Sequence, residues 1–226
     1  MDAVLHAGAA LVPGGLEGLI DDLLAGSARD PAAIDKPARP LAIPAATWRR
    51  MSRLSRLLAV AAVPLIADRS DLHELAIVWG TSLGELVPTS QLTQRLYREG
   101  PRSVSPMAFQ NSVYNAPIGH LSISLGLRGP SETVCAGGAS GLTALMRGIS
   151  WLRAGAPAAL VVAGDVTAPL WERAWELRAE LEGRPHPLLG EAVAAVLLVA
   201  DGPGPRVQLH AGARPTGLTL TRRCPL

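Results

Sequence analysis

Short apolar runs alternate with longer amphipathic segments along most of the chain. Residues 75–79, 159–163 and 193–199 are apolar without polar alternation, which is typical of strands buried on both faces of a sheet. Apolar residues recur at helical spacing over 51–65, 142–152 and 170–181. The alternation of the two patterns predicts an α/β fold, with a mainly buried sheet flanked by helices.

The first of these predicted helices continues from residue 49 to residue 67, and its polar side is basic. Its apolar positions leave Arg49, Arg50, Arg53 and Arg56 on the opposite side. Such a face is most often simply solvated. Because it is strongly positive, it is also a candidate docking surface for an acidic partner protein.

Two segments lack any periodicity. Residues 14–44 are rich in Gly, Pro, Asp and Ala, and we expect them to be dominated by loops. Residues 203–226 contain four prolines, and we expect an irregular C-terminal tail there. The sequence therefore predicts one domain over residues 1–202.

Composition narrows the classes of function. With 226 residues, of which 48% are hydrophobic, the chain can bury one substantial core. Its 21 basic and 19 acidic residues give a net charge of +2, so the balance requires neither nucleic acid nor an anionic membrane as partner. Cys135 and Cys224 are too few for a disulfide framework or a cysteine metal site. No apolar run reaches the ~18 residues of a membrane span and no signal peptide is evident, so we expect a cytoplasmic protein without a membrane span.

The most informative segment is 138–145, which reads Gly-Ala-Ser-Gly-Leu-Thr-Ala-Leu and follows a predicted strand-to-helix elbow at 133–137. It resembles the Cys-Ala-Ser-Gly-Leu-x-Ala-Leu elbow of the thiolase and ketoacyl-synthase superfamily, in which the nucleophilic cysteine opens the helix. Gly138 occupies the nucleophile position here. The resemblance therefore implies a condensing-enzyme scaffold without the side chain that accepts the acyl group.

Other segments agree with the same register. Residues 115–119 and 127–130 resemble the Asn-x-Ala-Ala-Gly and Gly-x-x-Gly-Pro segments of ketosynthases, and 190–197 resembles their Gly-Glu-Gly-Ala strand. The family's two histidine motifs, which belong to the second repeat of its fold, have no counterpart, and His210 lacks their flanking residues. The resemblance is thus to beta-ketoacyl synthase-like N-terminal domain proteins and, more loosely, to chain-length factors. It implies the N-terminal half of a thiolase-like fold, one βαβαβ-type repeat with a mixed sheet flanked by helices.

The resemblance implies a catalytically silent, chain-length-factor-like subunit. Such a subunit pairs with an active ketosynthase in polyketide, aryl-polyene or fatty-acid biosynthesis, and needs no cofactor and no metal. An acyl carrier protein is a second expected partner, which the arginine face would dock. Phe109, Asn115 and Gly119 fall on the segment that lines the acyl pocket or the subunit interface in ketosynthases. The competing interpretation of Phe109, and of Tyr114, is an ordinary core aromatic.

Several alternatives stay open at the sequence level. If the register slides by three residues, Cys135 becomes the nucleophile of an acyl-transferring beta-ketoacyl synthase half, with histidines from another chain. Otherwise Cys135 is a small core residue, and Gly138 could reflect only the backbone freedom that an elbow needs. Asp165 is interpreted as a capping residue and His120 as structural. The segment 80–84 is too incomplete to be a phosphate loop.

Overall fold

The computed structural model describes residues 3–13, 33–67, 69, 72–185, 189–209 and 218–221. Within these residues, seven strands form one sheet in the order β3-β2-β4-β5-β1-β6-β7. The strands are β1 Ala3–Leu11, β2 Ala76–Gly80, β3 Ser131–Val134, β4 Ala158–Asp165, β5 Ala192–Val199, β6 Arg206–Leu209 and β7 Leu218–Thr221.

The sheet is mixed, as the resemblance implies. Strand β2 pairs in parallel with β3 on one side and β4 on the other. The pairs β4 with β5, β5 with β1, β1 with β6 and β6 with β7 are antiparallel. All five residues of β2 are buried, which confirms that this apolar run is a strand covered on both faces.

Helices flank the sheet. They are α1 Ala45–Arg50, α2 Arg53–Ile66, α3 Leu86–Glu99, α4 Pro106–Gln110, α5 Ala116–Leu125, α6 Ser140–Arg153 and α7 Pro169–Glu182, with single 3-10 turns at Pro101–Ser103 and Gly137–Ala139. The single helix predicted over 49–67 is wrong, because Met51 and Ser52 are extended and divide it into α1 and α2. The Ser52 side chain accepts a hydrogen bond from the Ser55 N–H, so that it caps the start of α2. None of the described helices is both long and apolar enough to cross a bilayer.

Each face of the sheet has its own hydrophobic core. On one face α2 contributes a buried apolar stripe that packs with Trp79, Leu160 and Leu197 of the strands. On the other face α6 packs against β2 and β4. Its approach is close at Gly148, where an added Cβ would lie 2.4 Å from Cγ2 of Val161. The sheet is therefore covered on both faces at β2 and β4, and this packing holds the ends of those two strands in place.

The C-terminal segment differs from its prediction. The sequence predicts an irregular tail over 203–226, yet β6 pairs with the start of β1 and β7 pairs with β6. Pro205 lies just before β6, where no N–H is needed for the ladder, and its carbonyl accepts a hydrogen bond from Leu5 N at 3.0 Å. Local periodicity could not reveal these strands, because the partner strand β1 lies at the other end of the chain. The domain boundary at residue 202 stays a prediction, and most of the predicted loop segment, His210 and Cys224 lie outside the described residues.

Candidate functional site

The candidate site is the elbow between β3 and α6. Strand β3 ends at Val134, Cys135 and Ala136 follow, and a single 3-10 turn leads into α6 at Ser140. Strand β3 has a neighbouring strand on one side only among the described residues. The elbow therefore lies at the edge of the sheet, and residues 135–139 are all exposed.

Ser140 holds the elbow in shape. Its hydroxyl accepts a hydrogen bond from Ala136 N at 2.9 Å, and it can donate to the carbonyl oxygen of Gly137 at 2.6 Å or of Thr81 at 2.8 Å. At Gly80 an added Cβ would lie 2.4 Å from the carbonyl oxygen of Ser140, so the start of α6 rests directly on the end of β2. The elbow is thus held on the sheet by Ser140, which is 3% exposed, and by Gly80, which has no room for a side chain.

Gly138 lies in this turn with space around it. A Cβ built there would meet no atom within 4 Å, and the left-handed conformation belongs to its neighbour Gly137, whose φ is +55°. The interpretation that Gly138 serves only backbone freedom is therefore wrong. A side chain at this position would be accommodated, and the elbow lacks one.

Cys135 is not a core residue, and that expectation is wrong. It is exposed, because β3 ends at the edge of the sheet, and its thiol lies 3.7 Å from the carbonyl oxygen of Ser82. It comes before the 3-10 turn, so it does not open helix α6 as a family nucleophile would. The thiol is accessible, but Cys135 lies five residues before Ser140, the first residue of α6.

A hydrogen-bonded latch joins the loops that follow β2 and β4. Asp165, the last residue of β4, accepts hydrogen bonds from the Thr81 hydroxyl, from Ser82 N at 2.9 Å and from Leu83 N at 2.9 Å. We call this arrangement the Asp165 latch. The interpretation that Asp165 caps the next element is therefore wrong, because its carboxylate binds the loop after β2, whereas the next helix, α7, has Ala168 at its N-cap and no side-chain cap. Since Gly84 N is also bound, by the Thr81 hydroxyl at 2.8 Å, the amides of this loop are not free to cradle a phosphate.

The arginine face is divided. Arg53 forms an ion pair with the buried Glu191, with Nη2 and Oε2 2.5 Å apart, and the bond to this carboxylate raises the pKa of Arg53 above its ordinary value. Arg56 lies over the ring of Trp48, at 5.5 Å from its centroid, and donates to the Trp48 carbonyl. Of these four arginines, Arg49 and Arg50 are exposed and have neither an ion pair nor an aromatic ring as side-chain partner. The carrier-protein docking prediction therefore rests on those two.

The segment around α4 and α5 is a surface. Phe109 is 60% exposed and Tyr114 is 47% exposed, so neither is the core aromatic that the alternative interpretation expected. Asn115 is exposed at the start of α5, and Gly119, within α5, would have open space around a Cβ. His120 is buried, and its Nε2 lies 2.9 Å from Asn111 Oδ1. Burial lowers the pKa of His120, which agrees with a structural role.

Sequence reasoning missed Glu85, at the start of α3. This residue is 2% exposed, and its Oε1 accepts hydrogen bonds from the hydroxyls of Ser52 at 2.5 Å and Ser55 at 3.1 Å. Burial raises the pKa of Glu85 to about 7. Glu85 lines a cavity of about 540 Å³ between α2, α3, α4 and the loop after β4. A glutamate at a helix start is an ordinary sequence feature, so no local signal distinguishes it.

Comparison with known proteins agrees with this geometry. The family profile described as "Beta-ketoacyl synthase, N-terminal domain" matches residues 26–221. The chain is 34% identical over 103 residues to actinorhodin polyketide beta-ketoacyl synthase 2 of Streptomyces coelicolor, an alignment that spans 46% of this chain and 25% of that protein.

Solved structures share the fold. One is a ketosynthase (ApeO) in complex with its chain length factor (ApeC) from Xenorhabdus doucetiae, matched with a TM-score of 0.64 and 27% identity over 95% of this chain and 85% of the other. Another is the ishigamide ketosynthase/chain length factor, with a TM-score of 0.72 and 23% identity over 88% of this chain and 62% of the other. The family profile, the mixed sheet and the elbow into α6 lead to one conclusion: the chain belongs to the beta-ketoacyl synthase N-terminal domain family.

Proposed function

We propose that this chain is a catalytically silent, chain-length-factor-like subunit that pairs with an active ketosynthase in polyketide, aryl-polyene or fatty-acid biosynthesis. The observation that carries the proposal is the preserved elbow with Gly138 at its nucleophile position. Acyl transfer by this kind of site needs a thiolate at the helix N-terminus, where the backbone N–H groups lower its pKa and bind the oxyanion. Glycine supplies no such group.

The relatives support a paired subunit. The Xenorhabdus structure contains a ketosynthase together with its chain length factor, and this chain covers 85% of the matched chain at 27% identity. The curated relative from Streptomyces is named for a polyketide, actinorhodin. We therefore infer a ketosynthase as the partner and polyketide-type assembly as the setting.

The surface of the chain supports a partner as well. Strand β3 is an edge strand whose outer side pairs with no described strand, and such edges favour pairing with a second chain. Met107, Phe109 and Ile123 are large apolar side chains that are more than half exposed on α4 and α5. Exposed apolar surface of this kind marks interaction sites.

One observation favours a second candidate. Because the thiol of Cys135 is exposed, an acyl donor could reach it, as in an acyl-transferring half that takes its histidines from another chain. Against this, Cys135 precedes the 3-10 turn and lies outside α6. The two candidates differ in which polypeptide becomes acylated.

The deciding experiment is co-expression with a ketosynthase from the same genome, followed by size-exclusion chromatography and intact-mass analysis after incubation with acyl-loaded carrier protein. We expect a co-eluting complex in which only the partner gains acyl mass, with Cys135→Ser behaving as wild type. Acyl mass on this chain that disappears in Cys135→Ser would establish the second candidate instead. A well-behaved monomer without affinity for the ketosynthase contradicts both.

A pair of surface variants tests where the partner binds. Phe109→Asp should weaken the complex, because it places a charge in an apolar contact. Ala174→Asp on α7 is the matched control, since Ala174 is exposed but is not one of the large apolar side chains, and it should leave the complex unchanged. Equal elution of both variants with the partner would exclude α4 from the interface.

A further inference from the structure

We propose that the cavity lined by Glu85 is a ligand site that binds an uncharged hydrogen-bond acceptor, such as a carbonyl oxygen, carried on an apolar body. We call it the Glu85 cavity. None of the residues 134–141 of the elbow lines it. The inference is therefore independent of the proposed function, and a ligand here would not be covalently attached.

The walls of the Glu85 cavity suit an apolar body. Its volume of about 540 Å³ lies within the range of about 300–1,000 Å³ that is typical of small-molecule pockets. The apolar lining comes from α2, from α3 and from the loop after β4, through Leu54, Leu86, Val87, Pro88, Leu92 and Val166. Burial of apolar ligand surface against these side chains would supply most of the binding free energy.

Glu85 supplies the directional contact. Its Oε1 receives both serine hydroxyls, whereas Oε2 has no hydrogen-bond partner within the described part of the chain. A buried carboxyl group without a cationic partner favours its neutral form. The proton then resides on Oε2, where it can be donated to an acceptor in the cavity, and the pKa of about 7 keeps this form populated near neutrality.

The charges around the cavity argue for an uncharged acceptor. Arg53 of α2 and Arg95 of α3 line it, and they pair with Glu191 and Glu99 respectively. The other walls bring no charge, since Ala108 of α4 and Asn111, the residue after α4, form one of them and Val166 and Thr167 of the loop after β4 form the other. Asp165, next to that loop, is engaged by the latch. Two guanidinium groups disfavour a cationic ligand, and the apolar walls disfavour a desolvated anion.

The probe for the test is 2-octanone, which has an apolar chain and one carbonyl and cannot acylate a thiol. Calorimetric titration of the full chain at about pH 6 and about pH 8.5 should show saturable binding that weakens about tenfold or more at the higher pH, because Glu85 with a pKa of about 7 is then ionised. In Glu85→Gln the amide donates at both pH values, so the pH dependence should disappear. In Glu85→Leu no donor remains, and binding at about pH 6 should fall about tenfold.

Glu74→Gln is the matched control, because Glu74 is an exposed glutamate of the loop before β2, and it should bind as wild type does. Thermal unfolding of each variant checks that it is folded, and if Glu85→Leu does not fold, Glu85→Gln alone decides through its pH profile. Absence of saturable binding, a pH dependence that persists in Glu85→Gln, or unchanged affinity in a folded Glu85→Leu would each overturn the proposal. Tighter binding of octylamine at the higher pH would overturn it too, since the cavity would then be a site for cations.

Discussion

Replacing Glu85 by glutamine should make the protein more stable, and the gain should grow with pH. Glu85 has a pKa of about 7 in the folded chain against an ordinary value of 4.5. The folded state therefore holds this proton more tightly than the unfolded state. For a carboxyl group with a raised pKa, the stability contribution is fully present below about pH 4.5 and is lost as pH rises through about 7.

The size of the effect follows from the same two values. Their difference corresponds to about 3 kcal/mol of unfolding free energy, as an order of magnitude, and Glu85 is buried enough that solvent screening removes little of it. Glutamine has nearly the same shape, can keep accepting from the serine hydroxyls and never ionises. We therefore expect Glu85→Gln to differ little from wild type at about pH 4.5 and to exceed it by up to about 3 kcal/mol at about pH 8.5.

Urea unfolding followed by circular dichroism at several pH values measures this difference directly. Comparing variant with wild type at each pH cancels the contributions of all other titrating groups. Glu74→Gln, which changes an exposed glutamate, should show no such trend. A difference between Glu85→Gln and wild type that stays constant from about pH 4.5 to about pH 8.5 would refute the reasoning.

Three further substitutions test the elbow, the latch and the buried ion pair. Gly80→Ala should lower the unfolding free energy by about 2 kcal/mol, because its Cβ would lie 2.4 Å from a backbone carbonyl oxygen at the start of α6. Gly138→Ala should be neutral or slightly stabilising, because its Cβ would meet no atom. Thermal unfolding compares the two variants, and equal losses would contradict the packing of α6 on β2. Asp165→Asn should cost about 2 kcal/mol in urea unfolding, because asparagine keeps only one accepting oxygen and lacks the charge that strengthens the bonds to the two backbone amides; a neutral result would refute the latch. Arg53→Met should cost about 3 kcal/mol by the same measurement, because the carboxylate of Glu191 stays buried without its cation; an unchanged midpoint would mean that the carboxylate finds solvent.

The parts of this structure that sequence could predict are those set by local pattern. The apolar run at 75–79 becomes the fully buried core of β2, and the segment 138–145 leads into α6 from an elbow, as the family resemblance implies. Both depend on residues close together in the chain. A buried strand needs only consecutive apolar side chains, and a helix start needs only its own periodicity.

The parts that could not be predicted depend on partners distant in sequence. Glu85 is unremarkable in sequence, and only the meeting of α2 and α3 buries it beside Ser52 and Ser55. Cys135 resembles a core residue by type, but the place of β3 at the sheet edge exposes it. Strand β6 exists because β1, near the opposite end of the chain, offers it a ladder. In each case the deciding interaction is tertiary.

The Asp165 latch has a consequence for access to the Glu85 cavity. Gly84 and Glu85 on one wall, and Val166 and Thr167 on another, each lie within a few residues of the latched groups. These two walls therefore move as one rigid piece, because parting them would break several hydrogen bonds at once. The cavity is partly open to solvent, so a molecule can enter or leave without parting these walls, and the rate of exchange should follow the mobility of the remaining wall, α4, rather than that of the sheet.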